Sequence, residues 1–338
     1  MKQNIAIIGG GMAGLAATTA LAPHAVVSLF DKSRGLSGRM STRLSRYDGA
    51  AFASDHFAFD HGAQYFRAAD PAFIDWLAPL QQTGHVHEWQ PRAVAIDGQG
   101  GITAQADARA KYVFTPGMNA IGKTLLAGRP QVKLYLDCQI DGLQKTDGAW
   151  QLSSGDDGFG PFDAVVLAIP AHQAAVLVPE AASFAADLGA VTMLGCHTLM
   201  LGYEAEEQPD FAWDCAHFDD AMLGFAAVNH RKPKRNDKAT LVVQTRHDWS
   251  QAHIEDEVAE VAAQMKARFA QLTGLSVAAS GYDRIHRWRY ASTEKALGQP
   301  YLWDGALQLG AIGDWCTGSK VEDAFMSGHR MAAALLVQ

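Results

Sequence analysis

Three glycines near the N-terminus have the spacing needed to hold a diphosphate: Gly9, Gly11 and Gly14, in the pattern G-x-G-x-x-G. Gly9 allows a sharp turn off a strand, Gly11 lets a diphosphate approach the backbone, and Gly14 lets a helix sit close on a sheet. Met12 and Ala13 open that helix, whose unpaired N–H groups and partial positive charge face the phosphates. Asp31, about 20 residues further on, can accept two hydrogen bonds from a ribose diol. The elements that must position these groups are also in place. Asn4–Ile8 and Val26–Phe30 are short apolar runs that read as strands, and the Ala/Leu-rich stretch between them, up to Leu21, reads as a helix. With a strand before it, a helix after it and an acid at the expected distance, the glycine pattern implies dinucleotide binding far more strongly than it does alone.

The loop 32–43 is glycine-rich, basic and aperiodic; it can bring backbone close to a ligand and offers Arg39 and Arg43 to phosphate. A Phe-rich run, 52–59, leads into Asp60-His61-Gly62-Ala63-Gln64-Tyr65-Phe66, a strand with a polar, ligand-facing end. Residues 71–80 read as a helix with Phe73, Ile74, Trp76, Leu77 and Leu80 on one side. Strand pieces at 86–96 precede a glycine turn at 97–101, a helix is expected at 118–127, and strands at 132–136, 139–143 and 150–153. The apolar run 163–169 has the character of a strand buried on both faces.

Residues 171–301 read as a second lobe with strands at 197–203, Leu223–Val228, 241–245 and 282–288. Its helix is expected at 250–272, where Ile254, Val258, Val261, Met265, Phe269 and Leu272 recur every three or four residues and Gly274 provides a stop. The chain then returns to the first lobe through a strand at 307–312, Gly313-Asp314-Trp315, and a helix from Val321. Ala324, Gly328 and Ala332 form a row of small residues on that helix, suited to close contact with a sheet or cofactor, or to plain tight packing.

At 338 residues the chain has room for two lobes, and with 48% apolar and 19% charged residues it can bury a sizeable core. A net charge of −8 argues against a nucleic-acid partner. The four cysteines form no C-x-x-C, which suits a reducing cytoplasm, and the thirteen histidines form no H-x-x-x-H pair on an evident helix, so no metal is expected. Lys2 and the apolar stretch after it mimic a signal peptide, but the three consecutive glycines at its centre fit strand, turn and helix better. No apolar run has membrane length, and nothing in the pattern fixes an oligomeric state.

The glycine fingerprint, the Ser37-Gly38-Arg39 loop and the Gly313-Asp314 strand end stand in an order that resembles the FAD-dependent amine oxidase superfamily. Within it the chain is most similar to the renalase family, its bacterial members above all. The residues that carry this are Asp31-Lys32 through Ser37-Gly38-Arg39-Met40, Asp60-x-Gly62-Ala63-Gln64-Tyr65, Trp288-Arg289-Tyr290, and Val321-Glu322-Asp323-Ala324 with Ser327-Gly328. The resemblance implies an α/β, two-lobed FAD-dependent oxidoreductase. Its Rossmann-like FAD-binding lobe would comprise 1–67, 112–170 and 302–338, and its α+β substrate lobe 68–111 and 171–301. It further implies non-covalent FAD. The diphosphate would lie at Gly9, Gly11, Met12, Ala13 and Gly14, and the adenosine ribose at Asp31 with Lys32. Arg39 would reach the diphosphate, Gly38, Met40 and Ile140 would also contact the cofactor, and Gln64 and Tyr65 would sit by the isoalloxazine. Gly313 and Asp314 would meet the ribityl–phosphate region, and the helix opening at Val321-Glu322 would point at the flavin N1/O2 edge, where reduced flavin carries negative charge. Ser37 stands where the superfamily commonly has a glycine, a departure expected to change little.

Amine oxidases of this superfamily usually flank the substrate amine with two aromatic rings. The position of one falls here on Ser319 or Lys320, which speaks against ordinary amine oxidation. The renalase likeness implies instead dihydronicotinamide dinucleotides reduced at the wrong ring position (2- or 6-dihydro forms), with O₂ as electron acceptor and H₂O₂ as product. Hydride loss leaves an aromatic pyridinium, so no general base is obligatory, and the protein's task is positioning and electrostatics. No His/Asp or Ser/His arrangement is evident in the sequence, as that chemistry allows. Candidate substrate-side residues are Gln64, Tyr65, Asn229, Gln244, Trp288 and Arg289, with Arg246 and Tyr290 beside them. The basic run 230–235 reads first as a solvated hairpin tip, and alternatively as a receiver of substrate phosphates. Two further readings remain on the same sequence: an oxidase or desaturase of amines or other small organic molecules, and a flavin-binding redox sensor without turnover.

Overall fold

The computed structural model describes residues 2–45, 56–107, 109–275, 277 and 281–337, so Phe52 of the Phe-rich run lies outside the described residues. Asn4–Ile8 sits at the middle of a six-stranded sheet, parallel to Val26–Phe30 on one side and Ala164–Leu167 on the other. Val132–Tyr135 extends one edge in parallel; Leu309–Ala311, also parallel, and then the antiparallel Leu302–Asp304 extend the other. These strands read as unbroken apolar runs because both faces are covered. Ile5, Ile7, Val27, Leu29 and Val166 face one core, and Ala6, Ile8, Val165, Leu167 and Ala311 face another.

The first core holds the glycine helix Met12–Leu21 and the C-terminal helix Val321–Val337. A Cβ at Gly328 would overlap the Ala13 carbonyl oxygen and press on Ala16, so the small residues of the C-terminal helix serve helix–helix packing. The second core is closed by a three-stranded antiparallel sheet, Gly142–Thr146, Ala149–Ser154 and Asp157–Phe162. Its first strand lies later than the expected 139–143.

A second sheet has seven strands in the order Tyr282–Lys295, Thr192–Tyr203, Ala239–Thr245, Leu223–Val228, Cys215–Asp219, Ala93–Asp97 and Ile102–Ala104. Strand alternation sorts its side chains. Leu199, Leu201, Leu241 and Val243 pack under Val261, Met265, Phe269 and Leu272 of the helix Val258–Thr273. His217, Phe225, Gln244, His286 and Trp288 point to the other side, toward the first sheet.

The helix expected at 250–272 is two helices, His247–Ala252 and Val258–Thr273. The Arg287 guanidinium donates to the carbonyls of Ile254 (2.7 Å) and Asp256 (3.3 Å), groups that a continuous helix would use internally. Glu255, Asp256 and Glu257 therefore lie before the second helix; Gly274, at φ +68, ends it as expected. The helix Pro71–Gln82 forms, but Ile74 is exposed while Phe73 and Leu77 are buried. It packs on the C-terminal helix, the Phe73 and Phe325 ring centroids 5.0 Å apart. No helix among the described residues is long and apolar enough to cross a membrane.

Candidate functional site

A cleft of about 1520 Å³ runs between the two sheets. At one end lie Gly9, Gly11, Met12, Ala13, Asp31 and Lys32; then Gly38, Arg39, Met40, Ile140, Gly313, Asp314 and Val321; and at the far end Gln64, Tyr65, Gln244, Trp288 and Arg289. Gly9 adopts φ +113, where a side chain would strike the Ala168 backbone, and a Cβ at Gly14 would overlap the Gly9 carbonyl oxygen. Gly14 is thus a packing residue beneath the cleft wall. A Cβ at Gly11 would meet nothing within 4 Å, because this residue faces the open cleft. Gly11 also caps the helix without a side-chain hydrogen bond, which leaves the first-turn N–H groups to an anion. Asp31 locks this turn: its Oδ2 accepts from Gly10 N–H and its Oδ1 from Ser33 N–H, both at 2.7 Å. Each oxygen keeps a further lone pair for a diol. These groups fit a dinucleotide diphosphate and ribose.

Ser37 does more than stand in for glycine. It holds φ +87, a left-handed conformation that disfavours a side chain. Its Oγ donates to Asn119 O (2.9 Å) and accepts from Gly122 N–H (3.2 Å), tying the loop to the helix Ala120–Leu126. Arg39 and Asp314 form a two-bond ion pair (2.8 and 2.5 Å), so the loop and the C-terminal strand end are clamped across the cleft. The Glu322 side chain does not line the cleft. Its Oε1 accepts from the N–H groups of Ala69 (2.6 Å) and Asp70 (2.7 Å), holding the start of the helix Pro71–Gln82.

At the far end the basic run behaves unlike a solvated tip. Lys232 and Arg235 are buried around one carboxylate, Asp60: Lys232 Nζ at 3.2 Å, Arg235 Nη2 at 2.7 Å. Burial would raise the Asp60 carboxyl, but the two cations, Arg235 first, outweigh it and hold it well below the usual range. Burial likewise pushes the Lys232 amine down to about 8, partly offset by Asp60. Lys232 also donates to Gln64 Oε1 (3.0 Å), while Gln64 Nε2 donates to the carbonyls of Asp60 (2.5 Å) and Gly62 (3.1 Å). Gln64 therefore reaches the cleft with a fixed amide whose hydrogens are already used. Asn229 is not a substrate contact. It is fully buried, donating to Ala58 O (2.9 Å) and accepting from Asp60 N–H (3.3 Å).

Trp288 stays on the wall, its indole N–H bonded to His61 O (2.9 Å) and its ring near both His61 and His286. Burial pushes the His61 imidazole down to about 3, with help from His286 and Arg43, and that of His286 to about 4, so both are neutral near pH 7. Arg289 forms an exposed ion pair with Glu255, and Tyr290 stacks on His172. The fold brings together a Ser/His pair that is not evident in the sequence: His197 Nδ1 lies 3.2 Å from Ser250 Oγ, itself bonded to Thr245 Oγ1. His197 is completely buried, so this is a sealed polar network, and its two residues are too far apart in sequence to signal it.

Residues 7–80 match the NAD(P)-binding Rossmann-like domain family. An Exiguobacterium sp. 255-15 protein assigned as a protoporphyrinogen oxidase superposes with a TM-score of 0.78 at 13% identity, covering 100% of both chains. Cyclohexylamine oxidase from Brevibacterium oxydans IH-35A superposes with a TM-score of 0.70 at 13% identity over 99% of both. The chain shares its fold with these two oxidases. Mouse (Mus musculus) renalase is 21% identical over 312 residues, 87% of this chain and 86% of that protein.

Proposed function

We propose that this chain is an FAD-dependent oxidase of misreduced (2- or 6-) dihydroNAD(P) isomers, cytoplasmic and without a nucleic-acid or membrane partner. The observation that carries the reading is the continuous cleft, which joins an uncapped glycine-helix N-terminus to a far end where Gln64, Tyr65, Gln244, His286 and Trp288 present rings and amides. Non-covalent FAD would supply the hydride acceptor and pass the electrons to O₂, so that dihydroNAD(P), O₂ and H⁺ give NAD(P)⁺ and H₂O₂. The first lobe, 1–67, 112–170 and 302–338, would bind the cofactor. Gly11, Met12 and Ala13 offer N–H groups to the diphosphate, Asp31 and Lys32 meet the ribose, and the clamped Arg39–Asp314 pair orders the middle. Gly38, Met40, Ile140, Gly313 and Val321 shape its walls. The second lobe, 68–111 and 171–301, would cover the ring end. Gln64, Tyr65, Gln244, His286 and Trp288 at that end carry no carboxylate. That suits a reaction whose product is a pyridinium and which removes no proton.

The positions where an amine oxidase would place a ring hold Ser319 and Lys320, both on the cleft lining. The likeness to mouse renalase supports the same choice. The second reading, oxidation of a small amine, draws on the shared fold with cyclohexylamine oxidase. Peroxide formation separates the two. We expect H₂O₂ from 2- or 6-dihydroNAD(P) and none from mono- or diamines; peroxide from amines alone would replace the first reading with the second.

A further inference from the structure

Arg43 is a half-buried cation on the cleft lining that makes no hydrogen bond or ion pair with any described residue. The hairpin that carries it explains why. Thr42–Leu44 pairs antiparallel with Ala58–Asp60, which sets Thr42 opposite Asp60 and Arg43 opposite Phe59. Opposite residues of such a pair share a face, and neighbours along a strand point to opposite faces. Thr42 therefore turns with Asp60, its Oγ1 donating to Asp60 Oδ1 (2.7 Å), toward the buried cluster with Lys232 and Arg235. Arg43 turns the other way with Phe59, whose ring stacks on Tyr282 of the strand Tyr282–Lys295, the centroids 5.0 Å apart. The Asp60 carboxylate is thus on the wrong side of the hairpin to pair with Arg43.

What Arg43 meets at the far end of the cleft is neutral. Burial is the first cause that keeps His61 and His286 unprotonated, and the nearby Arg43 charge adds to it at both rings. Beyond His286 the same strand face continues outward to Arg284, which is exposed and donates to the Asp283 carbonyl (2.7 Å) rather than to a carboxylate. Three other arginines of the lining are already engaged: Arg39 by Asp314, Arg289 by Glu255, and Arg287 by the Ile254 and Asp256 carbonyls. The basic run 230–235 spends Lys232 and Arg235 on Asp60 and Arg231 on Asp214, so it has no free charge there for a substrate phosphate. A guanidinium held partly out of water is best satisfied by an anion. The wall supplies none, so the ligand must bring it. The dihydropyridine ring and its carboxamide are uncharged; the diphosphate of a dinucleotide carries the charge. An ammonium in the same place would be repelled.

We propose that Arg43 receives the diphosphate of the substrate dinucleotide, so that the protein selects dihydronicotinamides that carry phosphate. This rests on the dihydronicotinamide reading above and adds to it the group that recognises the non-reacting part of the molecule. The test is anaerobic flavin reduction of the holoprotein by the 2- and 6-dihydro isomers of NAD and of nicotinamide riboside, which has the same ring and no phosphate, each titrated for its apparent Kd. Wild type is expected to hold the dinucleotide about tenfold tighter than the riboside, the size of one hydrogen bond to a charged group. Arg43→Gln is expected to lose most of that roughly tenfold preference, and Arg43→Lys, which keeps the charge, to retain most of it. Added salt is expected to narrow the preference of wild type, since the contact lies at a part-exposed charge. If Arg43→Gln keeps the preference, or wild type holds both compounds equally, the phosphate assignment is wrong while the parent reading stands. A weaker grip on FAD in Arg43→Gln would assign the guanidinium to the cofactor and overturn the proposal in the same way. If neither compound reduces the flavin, the parent reading falls and takes the proposal with it.

Discussion

Asp60 balances Lys232 and Arg235 in a place none of the three shares with water. Replacing it with a neutral amide leaves two buried cations facing each other. Asp60→Asn is expected to destabilise the protein by about 3–5 kcal/mol in urea unfolding; a loss under about 1 kcal/mol would contradict the burial of this cluster. Lys232 supplies a pH signature. Its amine is held at about 8 in the folded chain against 10.5 for an ordinary lysine, with burial the main cause. Between those values the unfolded chain carries a proton that the folded chain does not, so this group makes stability rise with pH across the window. Wild type is therefore expected to gain more in urea midpoint than Lys232→Met between pH 7.5 and 10; equal gains would show that the amine is not perturbed. The sequence did not disclose this role. A run of charges reads as solvated unless its counter-charge is visible, and Asp60 lies 172 residues before Lys232.

The contact between the glycine helix and the C-terminal helix sets the geometry of the diphosphate end. Gly328 meets the Ala13 backbone directly, and no flexible side chain stands between them to yield. Gly328→Ala is expected to cost about 1–3 kcal/mol by overpacking and to weaken FAD uptake, since it pushes on the helix whose first turn faces the cleft. Thermal unfolding and FAD titration of the apoprotein measure both effects, and unchanged values for both would contradict the packing role. The glycine turn was legible from sequence because its determinants are local: a turn, a close approach, a helix start. The break before Val258 was not, because the arginine that takes the Ile254 and Asp256 carbonyls comes from the strand Tyr282–Lys295 on the neighbouring sheet. The edge strand Leu302–Asp304 was missed for its brevity: three residues show no period.

At the scale of the molecule, two sheets face each other across one cleft, and the chain crosses between them several times. The parallel sheet could be read from its unbroken apolar runs. The far wall could not be read fully: Gln244, Trp288 and the stretch holding His61 are legible as candidates, whereas Asn229 is buried support and the packing of His61 against His286 arises only where distant strands come together. On the proposed reading this cleft holds FAD with its ring open to hydride from a misreduced nicotinamide. Anaerobic stopped-flow mixing of the purified yellow protein with 6-dihydroNAD tests it most directly. The expected result is loss of the oxidised-flavin absorbance within seconds, stoichiometric NAD⁺, and return of the colour with H₂O₂ on admitting air. A colourless protein that takes up no FAD, or a flavin spectrum unmoved by both the 2- and 6-dihydro isomers, would contradict it.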